Sequence, residues 1–266
     1  MEFLGPVLLC CLFVVVIVGL YRRKHRRTCN IHFITYGDER FEHSRKELSS
    51  QAQNTGWFDS VRVYTPDDIP SELREKYADI LATERGGGYW VWKPLIIQDA
   101  LSTMKEGDIL VYADAGCRLN SKARKRFDEY IDMLQAQQEV DVLSFQLEEV
   151  HVEDRWTTEA IFRHFGVPPG GPERTSRQIL GGIRIFRNGP HVRRWLKRVL
   201  GALETDRWLF SDKYNDDGNA PDFADNRHDQ SIMSLADKLE GSLVLDDETY
   251  PPGQEQFPIW ASRIKH

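Results

Sequence analysis

The segment GDILVYADAG, residues 107–116, ends an apolar run on one carboxylate, Asp114, with two small residues directly after it. One interpretation is structural: a strand-end aspartate caps a turn, and Gly116 adopts the left-handed conformation that the turn requires. The other is chemical, because Mg²⁺ and Mn²⁺ bind one or two carboxylates and share their remaining positions with water and substrate phosphates. Small residues beside Asp114 would let a nucleotide sugar approach, with the cation bridging its diphosphate. Both interpretations stay open.

A second polar cluster, NRHDQS at residues 226–231, follows a polar loop at residues 211–226. Asp229 could serve only as a first-turn acid that complements the helix dipole. Alternatively, it could act as a general base on an acceptor hydroxyl, or stabilise a positively charged sugar centre. His228 could be a base or a metal ligand, since a neutral imidazole can do either. We predict a catalytic role for Asp229 and His228.

The segment RGGGYWVWK, residues 85–93, combines glycines, aromatic rings and two cations. No Gly-Lys-Ser/Thr follows the three glycines, which argues against a P-loop NTPase. A flexible turn before a helix is the plain alternative. Arg85 or Lys93 could face a diphosphate, while the two tryptophans could stack on a sugar or base, or lie in the core.

Apolar periodicity predicts the elements that must position these residues. Strands are predicted at 30–36, 60–65, 108–113, 141–147 and 179–187, and helices at 40–54, 71–82, 92–104, 121–137, 154–166, 190–204 and from about 228. Ser71 is the predicted N-cap of the second helix. The β-α-β-α order favours a mostly parallel sheet flanked by helices, in which ligands bind at the carboxyl ends of strands. Asp114 lies at such an end.

Charge and cysteine content exclude several classes of protein. The net charge is −6 over 266 residues, whereas nucleic-acid binders usually present a basic face, so we expect no nucleic-acid partner. Outside the apolar leader only Cys29 and Cys117 remain, which gives no disulfide framework and no C-x-x-C metal site. Residues 30–266 are predicted to form one folded domain.

The leader predicts a membrane anchor. Residues 3–20 carry no charge over 18 positions, near the short limit for spanning a bilayer core of about 30 Å. A cleavable signal peptide is the rival, but the chain starts Met-Glu and the apolar run ends in a basic cluster, RRKHRR at 22–27. We predict that residues 1–29 form an uncleaved single-pass transmembrane helix with a basic flank. The positive-inside rule then favours a body in the cytosol.

Four segments together resemble glycosyltransferases of the GT-A type. They are GGGYWVWKPLIIQDAL, GDILVYADAGC, RQILGGIRIFRN and NRHDQSIMSL, and the resemblance covers most of residues 30–240 in order. It extends to poorly characterised membrane-anchored or virus-encoded sugar transferases, and it implies a GT-A-like, Rossmann-related domain. Many such enzymes carry an Asp-x-Asp metal motif at the end of this strand. Here Tyr112 replaces the first acid, so the resemblance makes Asp114 the retained ligand for Mn²⁺ or Mg²⁺.

The resemblance also implies roles for further residues. The end of the first strand would hold the base and ribose, and an Asp-Gln pair at a helix start would face the donor sugar and the acceptor. The donor-binding residues are then Thr35, Tyr36, Asp38, Tyr112 and Asp114, together with Arg85 and Lys93, and the acceptor-binding residues include Trp156 and Gln230. Gly181 and Gly182 begin a strand, where Gly182 could let an acceptor sugar approach the backbone, or the pair could serve a close helix–sheet contact. A late histidine, His266, could be a further metal ligand, although it lies at the chain end.

These features predict a membrane-anchored glycosyltransferase that moves a hexose or pentose from a nucleotide sugar, such as a UDP-sugar, to a glycan or glycoconjugate. An acceptor in the secretory pathway favours a Golgi-like lumen, against the orientation that the basic flank favours. One alternative is a non-catalytic carbohydrate- or nucleotide-binding protein, which Tyr112 in place of an acid favours. Another is a membrane-tethered nucleotidyltransferase, which would release pyrophosphate.

Overall fold

A computed structural model describes residues 29–250 and 255–262 of the chain. The strands are β1 Ile31–Tyr36, β2 Ser60–Tyr64, β3 Ile109–Ala113, β4 Arg118–Leu119, β5 Val142–Gln146, β6 Ile183–Arg187, β7 Leu243–Asp246 and β8 Ile259–Trp260. The α-helices are α1 Glu42–Thr55, α2 Ser71–Lys76, α3 Ala78–Leu81, α4 Trp92–Thr103, α5 Arg124–Ala136, α6 Glu153–Trp156, α7 Glu159–Phe165, α8 Pro172–Thr175, α9 Pro190–Thr205 and α10 Asp229–Glu240. Short 3₁₀ turns lie at Glu39–Phe41, Pro66–Asp68, Ser121–Ala123, Arg207–Phe210 and Asp212–Tyr214.

Six strands form the central sheet in the order β2-β1-β3-β6-β5-β7. β1 pairs in parallel with both β2 and β3, and β5 pairs in parallel with β7. β6 lies between β3 and β5 and runs antiparallel to both. The predicted mostly parallel sheet is therefore confirmed. The reversal of β6 brings its first residues to the edge where β1, β3 and β5 end.

Both faces of the sheet are covered, as predicted. On one face Leu110 and Tyr112 join a buried apolar cluster with α4, α9 and α10. On the other face Phe145 contacts Tyr130 of α5, with ring centroids 5.4 Å apart. Because both faces are buried, β3 reads as a continuous apolar run rather than an alternating one, and all five of its residues are buried.

Two predicted helices are each divided in the structure. The helix predicted at 71–82 breaks at Tyr77, and its N-cap position is held by Pro70 rather than by Ser71. The helix predicted at 154–166 becomes α6 and α7, since Thr158 takes an extended conformation and its hydroxyl accepts from the Ile161 N–H. The sequence analysis did not predict the edge strand β7 or the two-stranded sheet of β4 and β8.

The predicted membrane anchor at residues 3–20 and His266 lie outside the described residues. Within 29–250 and 255–262, the structure contains no helix with both the length and the apolar character to cross a bilayer.

Candidate active site

One lysine ammonium joins two carboxylates at the carboxyl end of the sheet. Lys93, in the first turn of α4, places its Nζ 3.2 Å from Asp114 Oδ1 and 2.5 Å from Asp229 Oδ2. The third acceptor is the carbonyl oxygen of Gly181, at 3.3 Å. These three oxygens surround the ammonium of Lys93, which donates a hydrogen bond to Gly181 and forms ion pairs with both carboxylates. We call Lys93, Asp114 and Asp229 the lysine centre.

Asp114 is the member of the lysine centre that reaches solvent. Its side chain is 41% exposed, against 2% for Lys93 and 8% for Asp229. Its Oδ1 accepts from the Tyr112 hydroxyl as well as from Lys93. A ligand arriving from solvent therefore meets Asp114 first, with one carboxylate oxygen already anchored to the protein.

Gly182 and Tyr112 hold Asp114 in place. The Asp114 N–H donates to the Gly182 carbonyl oxygen at 2.8 Å, and a Cβ on Gly182 would come within 2.8 Å of Asp114 Oδ2. Tyr112 is fully buried, and burial together with the Asp114 charge raises its pKa well above the ordinary value. Tyr112 is thus a neutral hydrogen-bond donor to Asp114. Both residues therefore position Asp114, and their assigned contacts with the donor and the acceptor stay predictions.

Burial and charge act in opposite directions on the lysine centre. Burial alone would lower the pKa of Lys93, but Asp114 and Asp229 outweigh it and raise that pKa, so the ammonium stays protonated. Burial raises the pKa of Asp229, and the attraction of Lys93 only partly opposes the shift. Asp229 and Lys93 therefore form a buried ion pair that depends on both partners.

His228 lies beside the centre and forms a second polar group. Its Nε2 is 2.8 Å from Asp212 Oδ1, and Asp212 also accepts from the Tyr89 hydroxyl at 3.0 Å and from Arg85 at 2.7 Å. Burial alone would raise the pKa of Asp212, but these hydrogen bonds and charges lower it. An ionised Asp212 selects the tautomer with its proton on Nε2, which leaves Nδ1 as the basic nitrogen. The sequence analysis did not select Asp212 as a site residue, although it noted the polar loop at 211–226 in which Asp212 lies.

The backbone around His228 and the glycine segment is left-handed. His228 has φ +59°, and φ is positive at every residue from Gly86 to Trp90. Glycine takes this conformation freely, whereas Tyr89 and Trp90 pay a steric cost of about 1–2 kcal/mol each. The turn packs both rings against His228, with centroids 5.4 and 5.0 Å away. The backbone N–H groups of residues 87–90 bond within the segment, so the turn offers no cradle for a phosphate.

A cleft of about 280 Å³ lies at the end of β1. Its lining residues are Tyr36, Asp38, Arg40, Pro66, Ile69, Arg74, Leu81, Thr83 and Gly87. The Tyr36 ring stacks on Trp92 at 3.7 Å, and Arg40 pairs with Asp38 at 2.7 Å. Tyr36 and Asp38 thus line this cleft, and their contact with a nucleotide stays a prediction. Thr35 is fully buried, and its hydroxyl has no hydrogen-bond partner among the described residues, so it cannot contact a nucleotide here.

The predicted acceptor residues make contacts within the protein. The Arg227 guanidinium covers the Trp156 ring at 3.9 Å, which removes that face for stacking on a sugar. Gln230 Oε1 accepts from the Gly181 N–H at 3.0 Å, and its amide donates to Gln178 at 2.7 Å. Gln230 therefore fixes the start of β6, whose carbonyl at Gly181 faces Lys93.

The residues around Asp114 do not fit the predicted divalent cation site. Among the described residues, no three His, Cys, Asp or Glu side chains converge to hold a metal. A divalent ion at Asp114 would also be repelled by the Lys93 ammonium, which lies 3.2 Å from Asp114 Oδ1. The histidine that could have helped, His228, faces Asp212. The structure thus gives no support to Asp114 as a ligand for Mn²⁺ or Mg²⁺.

Comparisons with known proteins give similarities in fold. No family model matches the sequence, and no curated protein sequence does. Among solved structures, a glycosyltransferase involved in glycosylation of the major capsid of PBCV-1 is 13% identical, with TM-score 0.49, covering 87% of this chain and 93% of that one. Mouse xyloside xylosyltransferase 1 is 12% identical, with TM-score 0.47 and coverage of 82% and 86%. The galactosyltransferase LgtC is 12% identical, with TM-score 0.44 and coverage of 82% and 74%.

All three of these proteins are described as glycosyltransferases. The chain itself has a mixed α/β fold with a mostly parallel sheet flanked by helices.

Proposed function

We propose that the chain is a glycosyltransferase that transfers a sugar from a nucleotide donor, such as a UDP-sugar, to a hydroxyl of a glycan or glycoconjugate. The observation that carries the proposal is the lysine centre, in which a solvent-facing carboxylate, Asp114, is held rigidly at the carboxyl end of the parallel strands. Ligands of open α/β sheets bind at this edge. A fixed acid there is suited to contact a reacting sugar.

The cleft at the end of β1 fits the nucleoside part of the donor. Its volume of about 280 Å³ is at the small end of the range for ligand pockets. The Asp38 carboxylate can accept from ribose hydroxyls, and the Arg40 and Arg74 guanidinium groups can donate to carbonyl and phosphate oxygens. These chemical features support a nucleotide rather than an oligosaccharide in this cleft.

The transfer itself needs a group that accepts one proton. The acceptor oxygen attacks C1 of the donor sugar, the bond between C1 and the diphosphate oxygen breaks, and the nucleoside diphosphate leaves with that electron pair. The proton of the acceptor hydroxyl passes to a base. Asp114 has the solvent-facing oxygen that this contact requires, and the His228–Asp212 pair is the second candidate. Asp229, first predicted as the base, is buried and supports Asp114 through Lys93.

The first test measures nucleoside diphosphate release by the full-length protein in detergent, with a panel of UDP- and GDP-sugars. We expect slow hydrolysis of one donor, and we expect Asp114→Asn to reduce it at least a hundredfold, as loss of an acid–base group does. Asp246→Asn, at an exposed carboxylate in β7, is the matched control and should leave the rate unchanged. Absence of turnover together with absence of thermal stabilisation by UDP or GDP would contradict the proposal.

A non-catalytic nucleotide- or sugar-binding protein is the second candidate. The observation that favours it is the pairing of both carboxylates with Lys93, which reduces the charge available for catalysis. This candidate predicts thermal stabilisation by a nucleotide sugar with no release of nucleoside diphosphate, even when candidate acceptors are added. Pyrophosphate release from a nucleoside triphosphate and a sugar phosphate would instead indicate a nucleotidyltransferase.

We further propose that residues 1–29 anchor the protein as a single-pass membrane helix and that the transferase domain begins at residue 30. The uncharged run at 3–20 and the basic flank at 22–27 support this. Extraction at high pH should leave the full-length chain in the membrane fraction. Protease protection of the domain in sealed vesicles would place it in a Golgi-like lumen, and digestion would place it in the cytosol.

A further inference from the structure

The lysine centre contains a cation, the Lys93 ammonium, beside the carboxylate that the sequence analysis assigned to the metal. We propose that the Lys93 ammonium is the resident cation of this site, that Arg85 supplies the positive charge for the donor diphosphate, and that donor binding therefore requires no divalent metal ion. The statement about the diphosphate rests on the proposed function. The statement about Lys93 depends only on the geometry of the centre.

The coordination of Lys93 supports the first part of this inference. Its Nζ lies 3.2 Å from Asp114 Oδ1, 2.5 Å from Asp229 Oδ2 and 3.3 Å from the Gly181 carbonyl oxygen, to which it donates. Gln230 holds Gly181 through the backbone N–H, which fixes the third acceptor. A buried ammonium is stable only when it is paired and hydrogen-bonded, and Lys93 has two carboxylate partners and the Gly181 carbonyl. The two carboxylates of the lysine centre therefore already hold a cation.

Tyr112 also makes Asp114 a poorer ligand for a divalent ion. Its buried hydroxyl donates to Asp114 Oδ1, the oxygen that also faces Lys93. A second acid at this position would add negative charge and attract a divalent ion, whereas a neutral donor consumes an acceptor site. Tyr112 and Lys93 together occupy Oδ1 of Asp114 and leave its other oxygen for substrate.

Arg85 is the cation that a diphosphate can recruit. Lys93 is 2% exposed and already faces three oxygens, while the Arg85 side chain is 48% exposed. Arg85 stands directly before the left-handed turn that leads to Lys93, and it pairs with Asp212 and Asp225 of the polar loop. Ion pairs this exposed are weak, so a phosphate can replace the two carboxylates as the partner of Arg85. A guanidinium binds phosphate through two parallel, bidentate hydrogen bonds.

The nucleotide experiment titrates UDP into the full-length protein in detergent by calorimetry, first with EDTA and then with Mn²⁺. We expect the two dissociation constants to differ by less than tenfold, and Arg85→Gln to weaken UDP binding in EDTA at least tenfold. The matched control is Arg193→Gln, which removes an exposed arginine on α9 and should not weaken it. A tenfold or greater gain with Mn²⁺, or unchanged binding in Arg85→Gln, would overturn the inference.

The metal experiment uses Mn²⁺ alone and needs no nucleotide. Free Mn²⁺ is measured by electron paramagnetic resonance in the presence of the native protein and of Asp114→Asn. We expect the two proteins to bind Mn²⁺ equally weakly. Native protein that binds Mn²⁺ at least tenfold more tightly than the variant would overturn the role of Lys93. Because no nucleotide is present, this measurement tests the role of Lys93 even if UDP does not bind to the protein. Failure of UDP to bind would contradict the proposed function and not the role of Lys93.

Removing the ammonium should create the metal site that Lys93 replaces. In Lys93→Met, which keeps the length of the side chain, we expect Mn²⁺ affinity to rise at least tenfold, provided that the near-ultraviolet circular dichroism of the variant is native. Lys238→Met removes another largely buried lysine, paired with Glu153 at 2.9 Å, and should give no gain. A folded Lys93→Met protein without added Mn²⁺ affinity would overturn the inference. If that variant does not fold, the two experiments on the native protein decide.

Discussion

At the scale of single residues, Tyr112 determines what Asp114 can do. A phenol that is buried and held neutral donates a hydrogen bond to the carboxylate without adding charge. The contact fixes Oδ1 and leaves Oδ2 toward solvent. Tyr112 thus acts as a positioning residue, and its effect on the reaction should be separable from its effect on folding.

Tyr112→Phe tests this separation. Loss of one hydrogen bond to a charged group should cost about 1.5–3 kcal/mol of stability, because phenylalanine fills the same space. We expect nucleoside diphosphate release to fall about tenfold in addition. Tyr130→Phe is the matched control, since Tyr130 is also buried and donates to a carboxylate, Glu248, at 2.6 Å. Urea unfolding and turnover are measured for both variants. Equal turnover in both would contradict a positioning role for Tyr112.

The sequence identified which residues lie at the site more often than it identified which residues contact each other. Asp114, Asp229 and Lys93 were all selected, yet nothing in the sequence showed that they share one ion-pair cluster, because their partners come from distant segments. Thr35 was assigned to the nucleotide but is buried. A strand covered on both faces lacks the polar alternation that would have shown which side chains are accessible.

At the scale of elements, the direction of β6 builds the site. Periodicity predicted a strand at 179–187, but a period of two is the same for a parallel and an antiparallel strand. Because β6 runs against β3, Gly181 and Gly182 arrive beside Asp114 and Lys93. Of the two uses predicted for these glycines, the structure shows the close contact, since a Cβ on Gly181 would lie 2.9 Å from Gln230 Cβ and one on Gly182 would lie 2.8 Å from Asp114 Oδ2.

Gly182→Ala tests the fit between β6 and β3. Its Cβ would lie 2.8 Å from Asp114 Oδ2, so the carboxylate must move, and we expect turnover to fall at least tenfold with only a small loss of stability. Gly201→Ala is the control, since no atom lies within 4 Å of its Cβ and alanine favours the interior of α9 by about 1 kcal/mol. The control should be slightly more stable and equally active. Normal turnover in Gly182→Ala would refute the close contact.

At the scale of the whole molecule, the layered α/β architecture was predictable because many residues of the sequence indicate it independently. Each helix and strand contains several apolar positions with its characteristic spacing, and the alternation of helices and strands is compatible with few folds. The edge strand β7 and the short β4–β8 pair were missed, since they are short or half-exposed and carry few such signals. Local breaks such as Tyr77 depend on tertiary contacts that outweigh helix propensity.

Burial of ionisable groups across the fold gives a prediction for high pH. Burial raises the pKa of Tyr36, Tyr64, Tyr112 and Tyr130 above the ordinary value. The pKa of Lys93 is also raised, because its two carboxylates outweigh burial. Below about pH 10 these groups are protonated in both folded and unfolded chains, so the stability they contribute is complete.

As the pH rises above about 10, the unfolded chain loses these protons while the folded chain keeps them. The free energy of unfolding should then fall, by up to about 1.4 kcal/mol per pH unit for each group, until the folded pKa values are reached. Urea unfolding between pH 8 and pH 11 measures this slope. Tyr64→Phe removes one buried phenol, so the free energy of unfolding should fall less steeply with pH, by the contribution of one titrating group. A free energy of unfolding that does not change over this range would mean that these side chains reach solvent in the folded protein.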